Sequence, residues 1–151
     1  MRIIGIAAVA AAGAAALLAA GQAQAAGELC PTVKKIVAAA DATPTWQGVS
    51  RGATGTAVPA GFGNCVTSAY SGSADYNCDL QGVTAQTVNA KYDRLVAELN
   101  ACLATAPQVE GDDIATYTRW RAPAGVEVTA TKVVQANADN FAVGLGVRRP
   151  F

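Results

Sequence analysis

Side chains able to do chemistry are few in this chain, and one type is missing altogether. There are eleven carboxylates, eleven basic residues and four cysteines, but no histidine. That absence removes Ser-His-Asp and Cys-His nucleophiles, histidine-built zinc sites and the commonest general base near neutral pH. Cys30, Cys65, Cys78 and Cys102 show no C-x-x-C spacing and have no imidazole to activate a thiolate, so redox chemistry is not indicated. Catalytic, metal and cofactor residues are therefore expected to be none.

The carboxylates offer two weaker patterns. Glu110-Gly111-Asp112-Asp113 clusters three of them, yet lacks the alternating ligands of a calcium loop, and a solvated turn ahead of a strand is expected. Asp75 and Asp79 would share one face of a strand, the arrangement a histidine-free carboxylate hydrolase would use; surface placement is favoured. Gly61-Phe62-Gly63-Asn64 could turn backbone amides toward an anion, but no strand-to-helix context follows, so it reads as a turn. The most suggestive stretch is Tyr117 to Arg121. On a strand, Trp120 points to one face, into the core, while Tyr117, Arg119 and Arg121 line the other. These three form the candidate binding surface, suited to a carboxylate, a sugar or a protein partner.

What the cysteines do depends on compartment. Arg2 precedes an unbroken apolar run from Ile3 to Ala20, and Ala23-Gln24-Ala25 places small residues where a signal peptidase reads them. Residues 1–25 are expected to be a secretory signal peptide of a bacterial chain, cleaved before Ala26, leaving one domain over 26–151. A retained anchor is the alternative, because about 18 apolar residues could just span a bilayer; the weak hydropathy of alanine and the well-formed cleavage site argue against it. A lipoprotein is disfavoured by Glu28, two residues ahead of Cys30. Cleavage removes one basic residue, Arg2, leaving ten against eleven acidic ones. A net charge near −1 argues against nucleic acid or anionic lipid as partner. A periplasmic or secreted location makes an even cysteine count read as two bridges, with three pairings open.

The elements that would position these groups narrow the pairings. Leu29 to Asp41 reads as a helix with Pro31 in its first turn and a stripe of Cys30, Val33, Val37 and Ala40, Ile36 beside it. Thr84 to Ala104 reads as a second helix with Val88, Tyr92, Leu95, Leu99, Cys102 and Leu103 on its apolar face. Antiparallel packing would join Cys30 to Cys102. Strands over 65–70 and 75–80 around the turn Ser71-Gly72-Ser73-Ala74 would set Cys65 against Cys78. A further weak strand is expected over Trp46 to Arg51, and Pro107 and Gly111 mark a break. Strands then follow over 114–122, 126–134 and 140–148, the last with Phe141, Val143, Leu145 and Val147 on one face and Ala142, Gly144 and Gly146 on the other. The fold class is α+β, in the order α-β3-α-β3: an antiparallel sheet with two helices on one face and two disulfides.

That last strand, ending at Phe151, resembles the closing strand of bacterial outer-membrane barrels. The resemblance implies a small outer-membrane-associated protein, against which Arg149 falls on the would-be lipid face and Pro150 cannot donate to a ladder. The helix and bridges also leave too little chain for eight spanning strands. The leading expectation is a non-enzymatic periplasmic or secreted module that binds a protein or cell-envelope component, with no nucleic-acid partner and no membrane span after signal cleavage.

Overall fold

A computed structural model describes residues 17–49 and 57–151. Two helices, α1 (Leu17–Asp41) and α2 (Val88–Leu103), pack on one face of a six-stranded antiparallel sheet. Its strands are β1 (Phe62–Tyr70), β2 (Ser73–Leu80), β3 (Gln108–Gly111), β4 (Ala115–Arg121), β5 (Glu127–Gln135) and β6 (Asn140–Pro150). They lie in the order β1-β2-β6-β5-β4-β3. The α+β class, the helices on one face and both bridges agree with the sequence reading. Among the described residues there are six strands, but they divide two and four about α2, not three and three.

Both departures have a local cause. Trp46 to Val49, expected in a strand, form hydrogen-bonded turns; Ser50 and Arg51 lie outside the described residues. The apolar spacing of Trp46 and Val49 reflects burial of a turn: Trp46 is at positive φ, its ring 6.0 Å from that of Tyr76, and its Nε1 donates to the Ser68 carbonyl. The additional strand, β3, is exposed at all four residues, so it carries no alternation to betray it. It exists through its ladder with β4.

Burial of one stripe explains each helix. On α1 the stripe is Leu29, Val33, Ile36 and Ala40, one residue round from the expected line, with Cys30 and Val37 half-buried at its border. The helix begins twelve residues before Leu29, so Pro31 stands in its interior, where it cannot bond the Gly27 carbonyl. On α2 the buried residues are Val88, Tyr92, Leu95 and Leu99, as the periodicity predicts. Its expected first turn, Thr84 to Thr87, is closed by the Thr84 N–H donating to Thr87 Oγ1, and regular helix starts after it. Arg149 reaches off β6 to the end of α1, donating to the Ala40 carbonyl and pairing with Asp41 at 3.1 Å. A cation there meets the orphan carbonyls and the negative end of the helix dipole.

The core lies between helices and sheet. Cross-strand register sets Trp120, Val128, Val147 and Tyr76 in one row and Thr118, Ala130, Leu145 and Cys78 in the next. All eight are buried. The apolar side of β6, which resembles a lipid-facing strand, thus faces the helices. Polar atoms in this layer are matched: Trp120 Nε1 donates to Asn100 Oδ1 at 2.9 Å, and the Tyr92 and Thr118 hydroxyls share a hydrogen bond at 2.7 Å. The Tyr76 hydroxyl donates to the Ala57 carbonyl, and burial pushes its pKa up to about 12.

Cys30 joins Cys102, tying α1 to the last turn of α2, and Cys65 joins Cys78 across the β1–β2 hairpin. A bulge between Gly63 and Val66, with Asn64 at positive φ, sets the register that places Cys65 beside Cys78.

Candidate functional site

Among the described residues the helices cover one face of the sheet only, and the candidate residues Tyr117, Arg119 and Arg121 all belong to the other. Alternation along β4 sends Trp120 and Thr118 inward, so the residues between them point outward. Register then extends each position into a row across the strands. Arg121 is opposite Glu127, Glu127 opposite Arg148, and Arg148 opposite Asp75, giving four charges of alternating sign. The next row runs Gln108, Arg119, Thr129, Gly146, Asn77; the one after it Glu110, Tyr117, Thr131, Gly144, Asp79.

Within this grid the three candidate residues are not equivalent. Arg119 stacks over the Tyr117 ring, 5.5 Å from its centroid, and its guanidinium is held by Glu110 and Glu127, the latter at 3.6 Å. Glu110 and Glu127 stand on the strands to either side, so Arg119 clamps β3 and β5 to β4. Its charge is thus paired on both sides, with one hydrogen bond to Glu110. Arg121 is exposed and has no ion-pair partner among the described residues, so its donors are available. Tyr117 keeps part of its ring accessible beside Arg119. The arrangement presents one unspent guanidinium next to an aromatic–guanidinium stack, which can meet a carboxylate, a carbonyl or a hydroxyl-bearing ligand.

Beyond Thr129 and Thr131 the face dips into a shallow groove of about 200 Å³, floored by Gly144 and Gly146 and edged by Asn77, Asp79 and Thr131. The glycines keep the floor low: a Cβ at Gly146 would sit 3.1 Å from Asn77 Oδ1, and one at Gly144 would touch the Cys78 carbonyl at 3.4 Å. Asp75 and Asp79 do share this face. Asp75 is engaged by Arg148 at 3.6 Å and by the Ser73 hydroxyl at 2.9 Å, which makes it part of the charge row.

The remaining sequence candidates serve the fold. Asp112 Oδ1 accepts the backbone N–H groups of Ala115 and Ile114, both at 2.8 Å, closing the β3–β4 turn. Those bonds hold its carboxyl below the usual aspartate value. Glu110 belongs to β3 and is turned to Arg119, so the acidic cluster is divided between two tasks. Among the described residues no three cysteine, histidine or acidic side chains gather as a metal site. Gly61-Phe62-Gly63-Asn64 forms the start of β1 and its bulge. Glu127 and Asn77 escape a reading of the sequence, and Glu110 stands out there only as one of an acidic cluster, because their place beside Tyr117, Arg119 or the groove comes from strand register between segments.

Two other concavities lie on the helix side. One, of about 530 Å³, runs between α1, the end of α2 and the β4–β5 turn, with Val37, Leu103 and Pro123 in its wall. The other, of about 370 Å³, has Leu29, Phe62, Leu80 and Leu95 in its wall and the Arg94–Glu98 pair at its rim. Among the described residues no helix is long and apolar enough to cross a membrane. No known family model, curated protein or solved structure matches this chain.

Proposed function

We propose that this chain is an exported, non-enzymatic binding module of the bacterial envelope, periplasmic or secreted, that recognises a protein or envelope component through the open face of its sheet. The observation that carries the reading is the one-sided packing. Both helices cover the same face, and the other presents rows of charged, hydroxyl and amide side chains already ordered by cross-strand pairs. Pre-ordered side chains lose little entropy on binding, which favours recognition by a rigid surface over recognition by loops. The alternating row Arg121, Glu127, Arg148, Asp75 has no net charge. It favours a partner matched by hydrogen bonds and charge pattern, not one drawn by long-range attraction. Two bridges suit an oxidising compartment. Export itself rests on the leader, with Ala23-Gln24-Ala25 as the cleavage signal.

The test is site-directed photocrosslinking in envelope fractions, with the probe placed at Thr129 on the open face or at Lys35 on the exposed side of α1. A specific adduct from Thr129, lost in Tyr117→Ala/Arg121→Glu while the fold is retained, is the expected result. Adducts from Lys35 alone would move the binding surface to the helices and end this reading.

A further inference from the structure

The helix α1 runs unbroken from Leu17 to Asp41, straight across the bond between Ala25 and Ala26. We infer that the folded domain hides its own processing site, so that signal cleavage must come before α1 is locked in place by the Cys30–Cys102 bridge. This rests on the leader reading above and adds an order of events to it.

Peptidases bind substrates as extended chain added to a strand edge, and in extended chain alternate side chains share a face. The backbone around the Ala25–Ala26 bond is helical and not extended, so it does not offer the strand that a peptidase cleft pairs with. The carbonyl to be attacked, that of Ala25, is at the same time in the helical ladder, opposite the N–H of Leu29. Leu29 is 5% exposed and is the first residue of the stripe that α1 buries. The next residue, Cys30, is bridged to Cys102. Only residues 26–29 separate the scissile bond from that bridge, a reach of roughly 13 Å when fully extended. Drawing the site into a cleft therefore requires unwinding the helix up to its staple and pulling Leu29 out of the core. Pro31 leaves the Gly27 carbonyl without its helical partner, but the ladder bonds of Ala23, Gln24, Ala25 and Ala26 all lie on the N-terminal side of that gap.

The reaction at stake is hydrolysis: water adds across the Ala25–Ala26 amide, leaving a carboxylate on Ala25 and a free amine on Ala26. In the unfolded chain nothing opposes it. Once the bridge has closed, cleavage proceeds only through local opening and slows by the population of that open form. A precursor that folds first is consequently trapped with its leader continuing α1.

The experiment uses the full-length precursor in two forms, oxidised and folded, or denatured with its thiols alkylated, each incubated with a purified bacterial signal peptidase. The new N-terminus is read by mass spectrometry. Support is cleavage of the alkylated chain at Ala25–Ala26 with the folded form slower by roughly tenfold or more. A Cys30→Ala/Cys102→Ala precursor, folded but without the staple, should be cut at an intermediate rate. Equal rates for folded and alkylated forms overturn the inference and leave the leader standing. Failure of the alkylated chain to be cut, or a cut elsewhere, removes the leader reading and the inference with it.

Discussion

Removing the Cys30–Cys102 bridge, by the Cys30→Ala/Cys102→Ala pair, isolates the largest single constraint on this domain. The bridge closes a loop of 72 residues, while Cys65–Cys78 closes 13 and lies wholly inside it. Nesting matters, because with the inner bridge intact the chain path between Cys30 and Cys102 is shortened by the inner loop. The logarithmic dependence makes this a correction of only a few tenths of a kcal/mol. The chain-entropy relation then gives about 4 kcal/mol for the outer bridge and about 3 kcal/mol for the inner one. Both outer cysteines are only half-buried, so truncating them adds little cavity cost. For a domain of this size each kcal/mol moves Tm by roughly 3–5 °C, and the outer pair should therefore lose roughly 12–20 °C. The assay is calorimetric or circular-dichroism melting of the 26–151 chain, paired with Cys65→Ala/Cys78→Ala. The inner pair loses the smaller loop term but also the packing of Cys78, which is 2% exposed, so only the outer pair isolates loop entropy. A loss under about 4 °C for the outer pair would refute the loop-entropy reasoning and place that bridge's role elsewhere.

Two further measurements bear on the core. Tyr92→Phe should destabilise by about 1–2 kcal/mol, because it leaves the Thr118 hydroxyl, 2% exposed, without its partner. Adding Thr118→Val should recover part of that loss, and chemical denaturation of the four-member cycle would show strict additivity if the bond were energetically silent. Tyr76 has a pKa raised by burial to about 12 from an ordinary value near 10. Its contribution to stability is full below pH 10 and is lost as pH rises toward 12, since the unfolded chain releases that proton first. Absorbance titration at alkaline pH should show one phenol ionising last, and Tyr76→Phe should remove that step; its persistence in the variant would reassign it.

Much of the fold is legible from local pattern, and the residues show why. Val88, Tyr92, Leu95 and Leu99 repeat at helical spacing; Val143, Leu145 and Val147 alternate at strand spacing. Both bridges could be paired from those periodicities, since antiparallel helices and a hairpin leave little choice. Where pattern misled, the cause was burial outside regular structure. Trp46 and Val49 are buried by a turn packed on Tyr76, and an apolar residue is apolar whether a strand or a turn buries it. β3 was invisible for the opposite reason, having no buried side to mark it.

The candidate surface divides along the same line. That Tyr117, Arg119 and Arg121 share a face opposite Trp120 follows from the alternation of a strand, which is a property of neighbouring residues and is carried by the sequence alone. That Arg119 pairs with Glu110 and Glu127 while Arg121 has no ion-pair partner among the described residues is a matter of register between strands, set only when β3 and β5 close on β4. The missing histidines and the cysteine count are likewise written in the residues themselves. The open face, the glycine-floored groove and the start of α1 at Leu17, well before Leu29, belong to the folded structure. Each depends on contacts or helix propagation beyond the local pattern, and no short window of sequence contains them.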